Sequence, residues 1–309
     1  MSRFTQKPAV GILNPFGTAA TASNYTGTST PISGAQAYSA IPATGAQPSS
    51  GTGFYDPNFC TYVGESFETS DGRTMAVVAV GVNGSANILQ GKLVAAPAQV
   101  TAFQLLAMTV PTATPATAGS FQILVTNGAT VLNVNQFQGG YVIIGSLTGA
   151  GQQFKIASHQ AAAASATFLV TLEDAIQITL DATSTVSLIY NPFGNANYAA
   201  GGVIISPTTD SAVPIGVAIT TLAFSTAATY NGTSGALTTN GTMQYGLVQT
   251  HGPVAALIDN TVTNVGYPLG QSAATAGALG VATLTTKAQI AISGQTQTSG
   301  DYGMVFLQL

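Results

Sequence analysis

Charge is what this 309-residue sequence has least of. Asp, Glu, Lys and Arg together make up 5% of it, against about 25% in ordinary globular proteins. Disordered chains combine high net charge with few apolar residues, whereas 46% of this chain is hydrophobic. Polarity is carried by Thr, Ser, Asn, Gln and Gly instead. A surface with so little electrostatic repulsion suits a protein packed against neighbours. The six basic residues, Arg3, Lys7, Arg73, Lys92, Lys155 and Lys287, are scattered, and the net charge is −4. Nucleic-acid binding needs a clustered basic face that displaces counterions from phosphates. That class is excluded.

Other absences narrow the field further. The single cysteine, Cys60, cannot form an internal disulfide, and beside Phe59 and Tyr62 it reads as a small buried hydrophobe. No run approaches the roughly 18 apolar residues of a membrane-spanning helix. The first residues, "MSRFTQKPAVGILNPFG", lack the apolar stretch of a signal peptide, so synthesis in the cytoplasm is expected. The N-X-S/T sequences at Asn24, Asn83, Asn231 and Asn240 matter only in a eukaryotic secretory setting.

Residues able to do chemistry are as sparse. His159 and His251 are far apart in sequence, and neither has a partner at metal-ligand spacing. Glu173 and Asp174 are adjacent; on a strand they would point to opposite faces and could not flank one substrate bond. "GESFETSDGR" (64–73) gathers Glu65, Glu68, Asp71 and Arg73, but reads as a hairpin end turning at Asp-Gly. It lacks the alternating oxygen ligands and closing acid of a calcium loop. There is no G-x-S-x-G nucleophile turn and no phosphate-cradling loop ending in Lys-Ser/Thr. The expectation is no catalytic residue, no metal and no cofactor. His251 and Asp259, in "QYGLVQTHGPVAALID" (244–259), form the one pairing that invites a catalytic reading. Alternation broken by Gly252-Pro253 instead predicts a β-hairpin, with the His251 ring bonded to a backbone group.

What the sequence does have is strand pattern. Apolar, β-branched runs fall at 74–82, 120–127, 140–147, 152–159, 166–174, 184–192, 201–207, 213–223, 278–284, 287–294 and 301–309. Gly, Asn and Pro turns separate many of them every 8 to 12 residues or so, as in sandwiches and barrels. The stretch 160–166, "QAAAASA", has helical composition but is too short to stand alone, and "NQFQGG" (135–140) reads as a turn. The fold class is therefore all-β: a barrel or sandwich body, an inserted or second β domain, and an extended N-terminal arm.

Residues 1–60 form that arm. The segment is dense in Gly, Ser, Thr and Ala, has no period of 2 or 3.6, and cannot offset its ordering entropy alone. It reads either as a flexible tail or as a strap ordered against a partner, with Phe4, Ile12, Phe16, Tyr25, Tyr38 and Ile41 as spaced anchors. Composition breaks at 111–119 and 191–202 divide the remainder. Residues 61–110 plus 201–309 read as one β domain, with 111–200 inserted as a sandwich-like domain at an exposed loop. Two consecutive domains are the alternative.

"GTMQYGLVQTHGPVAALID", followed by "VGYPLGQSAATAGALG" (265–280) and the closing "GDYGMVFLQL", resembles head structural proteins of tailed bacteriophages, above all capsid decoration or cement proteins. The likeness is strongest over 201–309, weaker over 62–100, and does not extend to the arm or to 111–200. It implies a non-enzymatic virion protein on the capsid surface. Its partners would be the major capsid protein and itself, as a homotrimer, with no nucleic acid and no membrane. The alternative is a head or tail fibre protein that binds host-surface glycans, although no Trp is present as a stacking platform.

Overall fold

The computed structural model of the protein describes residues 63–104, 108–112, 116–282 and 288–309. It is all-β, with 41% strand and 3% helix, and the helical residues form only short 3-10 turns. Among the described residues no helix is long and apolar enough to cross a membrane.

One body is a closed six-stranded barrel. Its strands are β4 (Met108–Thr109), β5 (Gln122–Thr126), β6 (Tyr141–Ile144), β7 (Gln153–His159), β8 (Thr167–Leu172) and β9 (Thr185–Ile189), paired in the order β4-β5-β8-β7-β6-β9. The two-residue β4 closes the ring, through Thr109 opposite Thr126 on one side and Met108 opposite Val186 on the other. Strict alternation dictates the filling. Ile123 and Val125, Val142 and Ile144, Phe154 and Ile156, Phe168 and Val170, and Val186 and Leu188 all point into one core. The strands from Met108 to Ile189 thus form a closed barrel and not a pair of stacked sheets. The stretch 160–166 is not helical; it runs past Leu132, with which Ala162 makes an isolated bridge.

The other body is a curled, half-barrel sheet of ten strands. It comprises β1 (Ser66–Glu68), β2 (Thr74–Val80), β3 (Leu93–Ala95), β10 (Ile204–Ile205), β11 (Pro214–Ala218), β14 (Gln244–Leu257), β15 (Pro268–Gln271), β16 (Leu279–Val281), β17 (Ala291–Ser293) and β18 (Tyr302–Gln308). A separate two-stranded hairpin, β12 (Thr229–Tyr230) with β13 (Leu237–Thr239), stands beside it. The apolar run 74–82 forms β2, which is covered on both faces. Ala76, Val78 and Val80 enter one core, while Val77 and Ala79 enter another, as a run without polar alternation requires.

The segment 244–259 corrects an expectation. It is not a hairpin but a single 14-residue strand, β14. Gly252, with φ of 88°, bends the strand and does not reverse it. The register against β2 shifts between Gln249 and His251, the mark of a β-bulge. Carbonyls left over at the bulge are taken by the buried Gln249 side chain, whose Nε2 donates to the oxygens of His251 (3.0 Å) and Pro253 (2.8 Å). Gly-Pro here terminates nothing because a neighbouring side chain supplies the hydrogen bonds that the bulge removes.

Barrel and sheet meet along the Gly-rich segment 191–202. The Phe193 carbonyl accepts from the Ala79 N–H at 2.9 Å. A Cβ on Gly194 would come within 2.3 Å of the Ala79 oxygen, and one on Gly202 within 2.4 Å of the Gly81 nitrogen. The glycines permit close backbone approach here.

His159 ties the barrel interior together. Its Nε2 accepts the Phe137 N–H at 2.9 Å, and Nδ1 lies 2.8 Å from the Gln160 oxygen. Only the neutral ring protonated at Nδ1 satisfies both. Burial among Phe137 and Phe168 lowers its pKa from the ordinary 6.5 to about 4. Between those values the unfolded chain binds a proton that the folded chain refuses. Stability is therefore full above pH 6.5 and falls as pH drops towards 4, by on the order of 3 kcal/mol in all. Urea unfolding from pH 8 to 4 should show this slope, and His159→Gln should flatten it. Equal slopes in the two proteins would contradict the assignment.

Candidate functional site

The structure separates the histidine and carboxylate that sequence placed nearest to chemistry. His251 is exposed and sits opposite Thr74 in β2 and Gln308 in β18. Asp259 lies beyond the far end of β14, where its N–H donates to the Leu279 oxygen. Six strand steps of about 3.3 Å separate His251 from Leu257 alone, or roughly 20 Å. The Asp259 carboxylate accepts from the Ser272 hydroxyl, and that same oxygen of Ser272 receives the N–H groups of Ala274 and Thr275. Asp259 is a loop organiser. The His251 ring makes no hydrogen bond among the described residues. The histidine whose ring bonds the backbone is His159, so that expectation attached to the wrong residue.

Asp71, Asp181 and Glu173 also serve local structure. Hydrogen bonds from Thr69 to Asp71 and from Thr183 to Asp181 hold both carboxyls below the usual range. Asp71 pairs with Arg73 at 2.8 Å, closing the β1–β2 turn as the Asp-Gly signal indicates. Glu173, on the bend after β8, pairs with Lys155 at 3.2 Å. Among the described residues no group of three His, Cys, Asp or Glu side chains could hold a metal.

β18 presents an exposed apolar surface. This strand alternates exposed and buried along its whole length. Gly303, Val305 and Leu307 turn into the sheet's core, whereas Tyr302, Met304 and Phe306 stay 49%, 40% and 43% exposed. Register extends the face sideways: Phe306 lies opposite Pro253 in β14 and Ile292 in β17, and Ile292 opposite Pro268 in β15. One apolar row therefore crosses four strands. Ala255 opposite Met304 forms a second. Single exposed apolar residues mean little, but a contiguous patch rimmed by neutral polar groups marks an interaction surface.

Beside this face runs a groove of ≈ 500 Å³ lined by Arg73, Gly91, Gln249, Pro253, Ala255 and Tyr302, among others. Gly91 is required there: a Cβ would stand 2.5 Å from the Tyr302 ring. Gln249 is buried, its amide nitrogen is spent on the bulge, and its Oε1 has no partner among the described residues. An unpaired buried acceptor is costly. The site can take apolar side chains on the flat row.

Part of this surface is legible in the alternation of the last strand. Tyr302, Met304, Phe306 and Gln308 fall on one side of any strand drawn through 301–309. The groove and the contributions of Pro253, Ile292 and Pro268 depend on register, which no local pattern carries. The anchors Phe4, Ile12, Phe16, Tyr25, Tyr38 and Ile41 lie outside the described residues, as does Cys60. No family model, curated protein or solved structure matches the chain.

Two substitutions separate scaffold from chemistry. Asp259→Ala should cost about 1–3 kcal/mol, because the Ser272 hydroxyl loses its acceptor at a half-buried site. His251→Ala should change stability by less than about 0.5 kcal/mol, as exposed substitutions do. Chemical denaturation measures both, and comparable losses would show that His251 has a structural partner.

Proposed function

We propose that the protein is a non-enzymatic structural component of a tailed-phage virion, one that decorates and cements the capsid shell as a homotrimer. The observation that carries this reading is the neutral, apolar face of β14, β18, β17 and β15. The resemblance of the segments that form it to phage head proteins adds to it. A cement protein works by adding contacts at junctions of an assembled shell. Interfaces of about 1,200–2,000 Å² each, repeated over many copies, stabilise the bound form by mass action. On this reading the face meets the major capsid protein or a second copy. Phe4, Ile12, Phe16, Tyr25, Tyr38 and Ile41 supply further anchors on neighbours. The barrel of residues 108–189 is then an insertion carried by the sheet that attaches.

Two measurements test this. Electron microscopy of the parent particles, with the protein labelled, should place it over the head; label confined to the tail would overturn the reading. Self-association and attachment should also be nearly indifferent to salt between about 0.1 and 1 M, over which the Debye length falls from ≈ 10 to ≈ 3 Å. Met304→Ser with Phe306→Ser should weaken attachment about tenfold or more with little loss of melting temperature. Each half-exposed side chain contributes on the order of 1 kcal/mol when covered. A double variant that attaches as well as the parent protein would remove this face from the argument.

A further inference from the structure

A second concave surface lies away from the β18 face, where the barrel, the segment 196–197 and the β12–β13 hairpin converge. It is a cleft of ≈ 540 Å³ lined by Asn135, Gln138, Asn197, Tyr230, Asn240 and Tyr245 among others. A neighbouring cleft of ≈ 450 Å³ shares Gln138, Ala196 and Asn197 with it and continues past Asn191 to Lys155 and Glu173. We propose that these two clefts form one groove that binds a neutral oligosaccharide.

The chemistry of the lining selects that ligand. No Asp, Glu, Lys or Arg lines the larger cleft, and Lys155 and Glu173 in the smaller one neutralise each other at 3.2 Å. An anionic ligand finds no countercharge. Among apolar Val134, Leu237 and Met243, the groove offers amides, each presenting donor and acceptor together, as sugar hydroxyls do. Asn197 Nδ2 donates to Gln138 Oε1 at 2.7 Å where the clefts join. That bond uses one end of each amide. The Gln138 NH₂ and the Asn197 Oδ1 have no partner among the described residues, nor has the exposed side chain of Asn240. The Tyr230 ring, 5.5 Å from that of Tyr198, adds a flat apolar surface for sugar C–H groups. Each cleft has the size of a small-ligand site, about 300–1,000 Å³, so several linked sugar rings fit along the pair.

The groove is also pre-formed. The Val134 N–H donates to the Gly235 oxygen at 3.1 Å, seating the hairpin tip on the barrel. Gly235, with φ of 69°, approaches so closely that a Cβ would lie 2.0 Å from the Leu132 oxygen. On the floor, Asn135 Oδ1 accepts the His159 N–H at 2.9 Å and Asn195 Nδ2 donates to the Asn135 oxygen at 3.0 Å. The walls are held before any ligand arrives.

Affinity electrophoresis of the full-length protein through gels containing dextran, mannan or galactan tests the proposal, with alginate as the acidic control. At least one neutral polysaccharide should retard the protein, and alginate should not. Asn197→Ala and Asn240→Ala should each weaken retardation about threefold and together about tenfold, the loss expected for one hydrogen bond apiece. Both side chains are exposed, so melting temperature should hold. Met304→Ser with Phe306→Ser should leave retardation unchanged, which keeps this site distinct from the attachment face. Free migration in all three neutral gels, equal retardation by alginate, or a double asparagine variant that binds as well as the parent protein would each overturn it.

Discussion

One buried amide holds the sheet in its shape. Gln249 sits where β14 bulges, and its Nε2 spans the carbonyls of His251 and Pro253. Without it two acceptors would be stranded beside a proline that has no N–H to offer. With it, β14 continues for 14 residues and carries three partners, β11 among them at Val248 and Gln249. β2 pairs with the first half and β18 with the second, and both end opposite His251. The bend at Gly252 lies just inside the β18 pairing, opposite Leu307. The outward row of Pro253 and Phe306 begins one residue beyond that bend. The exposed apolar face therefore depends on the bulge, and the bulge on an uncharged side chain.

The same economy of charge runs through the barrel. Buried His159, Gln136, Asn195 and Tyr190 are neutral and bond to backbone or to one another. His159 bonds two backbone groups, Asn195 donates to Asn135 and Gln136 carbonyls, and Gln136 Nε2 donates to the Tyr190 hydroxyl at 2.9 Å. Tyr190 stacks on Phe137 with centroids 4.4 Å apart, and burial pushes its hydroxyl pKa up, so it stays a neutral partner. Neutral buried hydrogen bonds avoid the several kcal/mol of desolvation that buried ions incur. They are strongly directional, and this fixes one arrangement of the turn 134–140 on which the groove is built.

Much of the architecture is written in local pattern. Alternation at Ile123 and Val125, or at Phe168, Val170 and Leu172, identifies barrel strands, and the unbroken run at 74–82 announces a strand covered on both faces. Closure is not local. It rests on Met108–Thr109, two residues too few to show any period. Gly252-Pro253 misled because the signal for a turn is the same as that for a bulge; what distinguishes them is Gln249, whose role appears only when its amide reaches both carbonyls. His159 looks no different in sequence from His251, although one is buried at 4% exposure and the other is exposed. The aromatic chain from Phe103 through Phe137, Tyr190 and Tyr198 to Tyr230 joins rings from five separate segments. The groove likewise draws on turns that sequence presents as unrelated polar stretches.

Scarcity of charge constrains recognition as much as folding. A surface without strong fields cannot steer partners from a distance or reject them by like-charge repulsion. Selectivity must come from shape and from apolar rows in register. Such devices act only at contact, where many weak complementarities are satisfied together. They suit a protein that meets its partner as a pre-assembled, repeating surface, because multivalent attachment multiplies modest contacts without needing fast encounter. They also carry a hazard, since neutral sheets with exposed apolar rows and open edges favour self-association. Here β18 is flanked by β14 and β17, so its apolar residues lie on a paired strand in the sheet's interior and not on a free edge. The face can be covered by a partner while its backbone remains closed to strand addition.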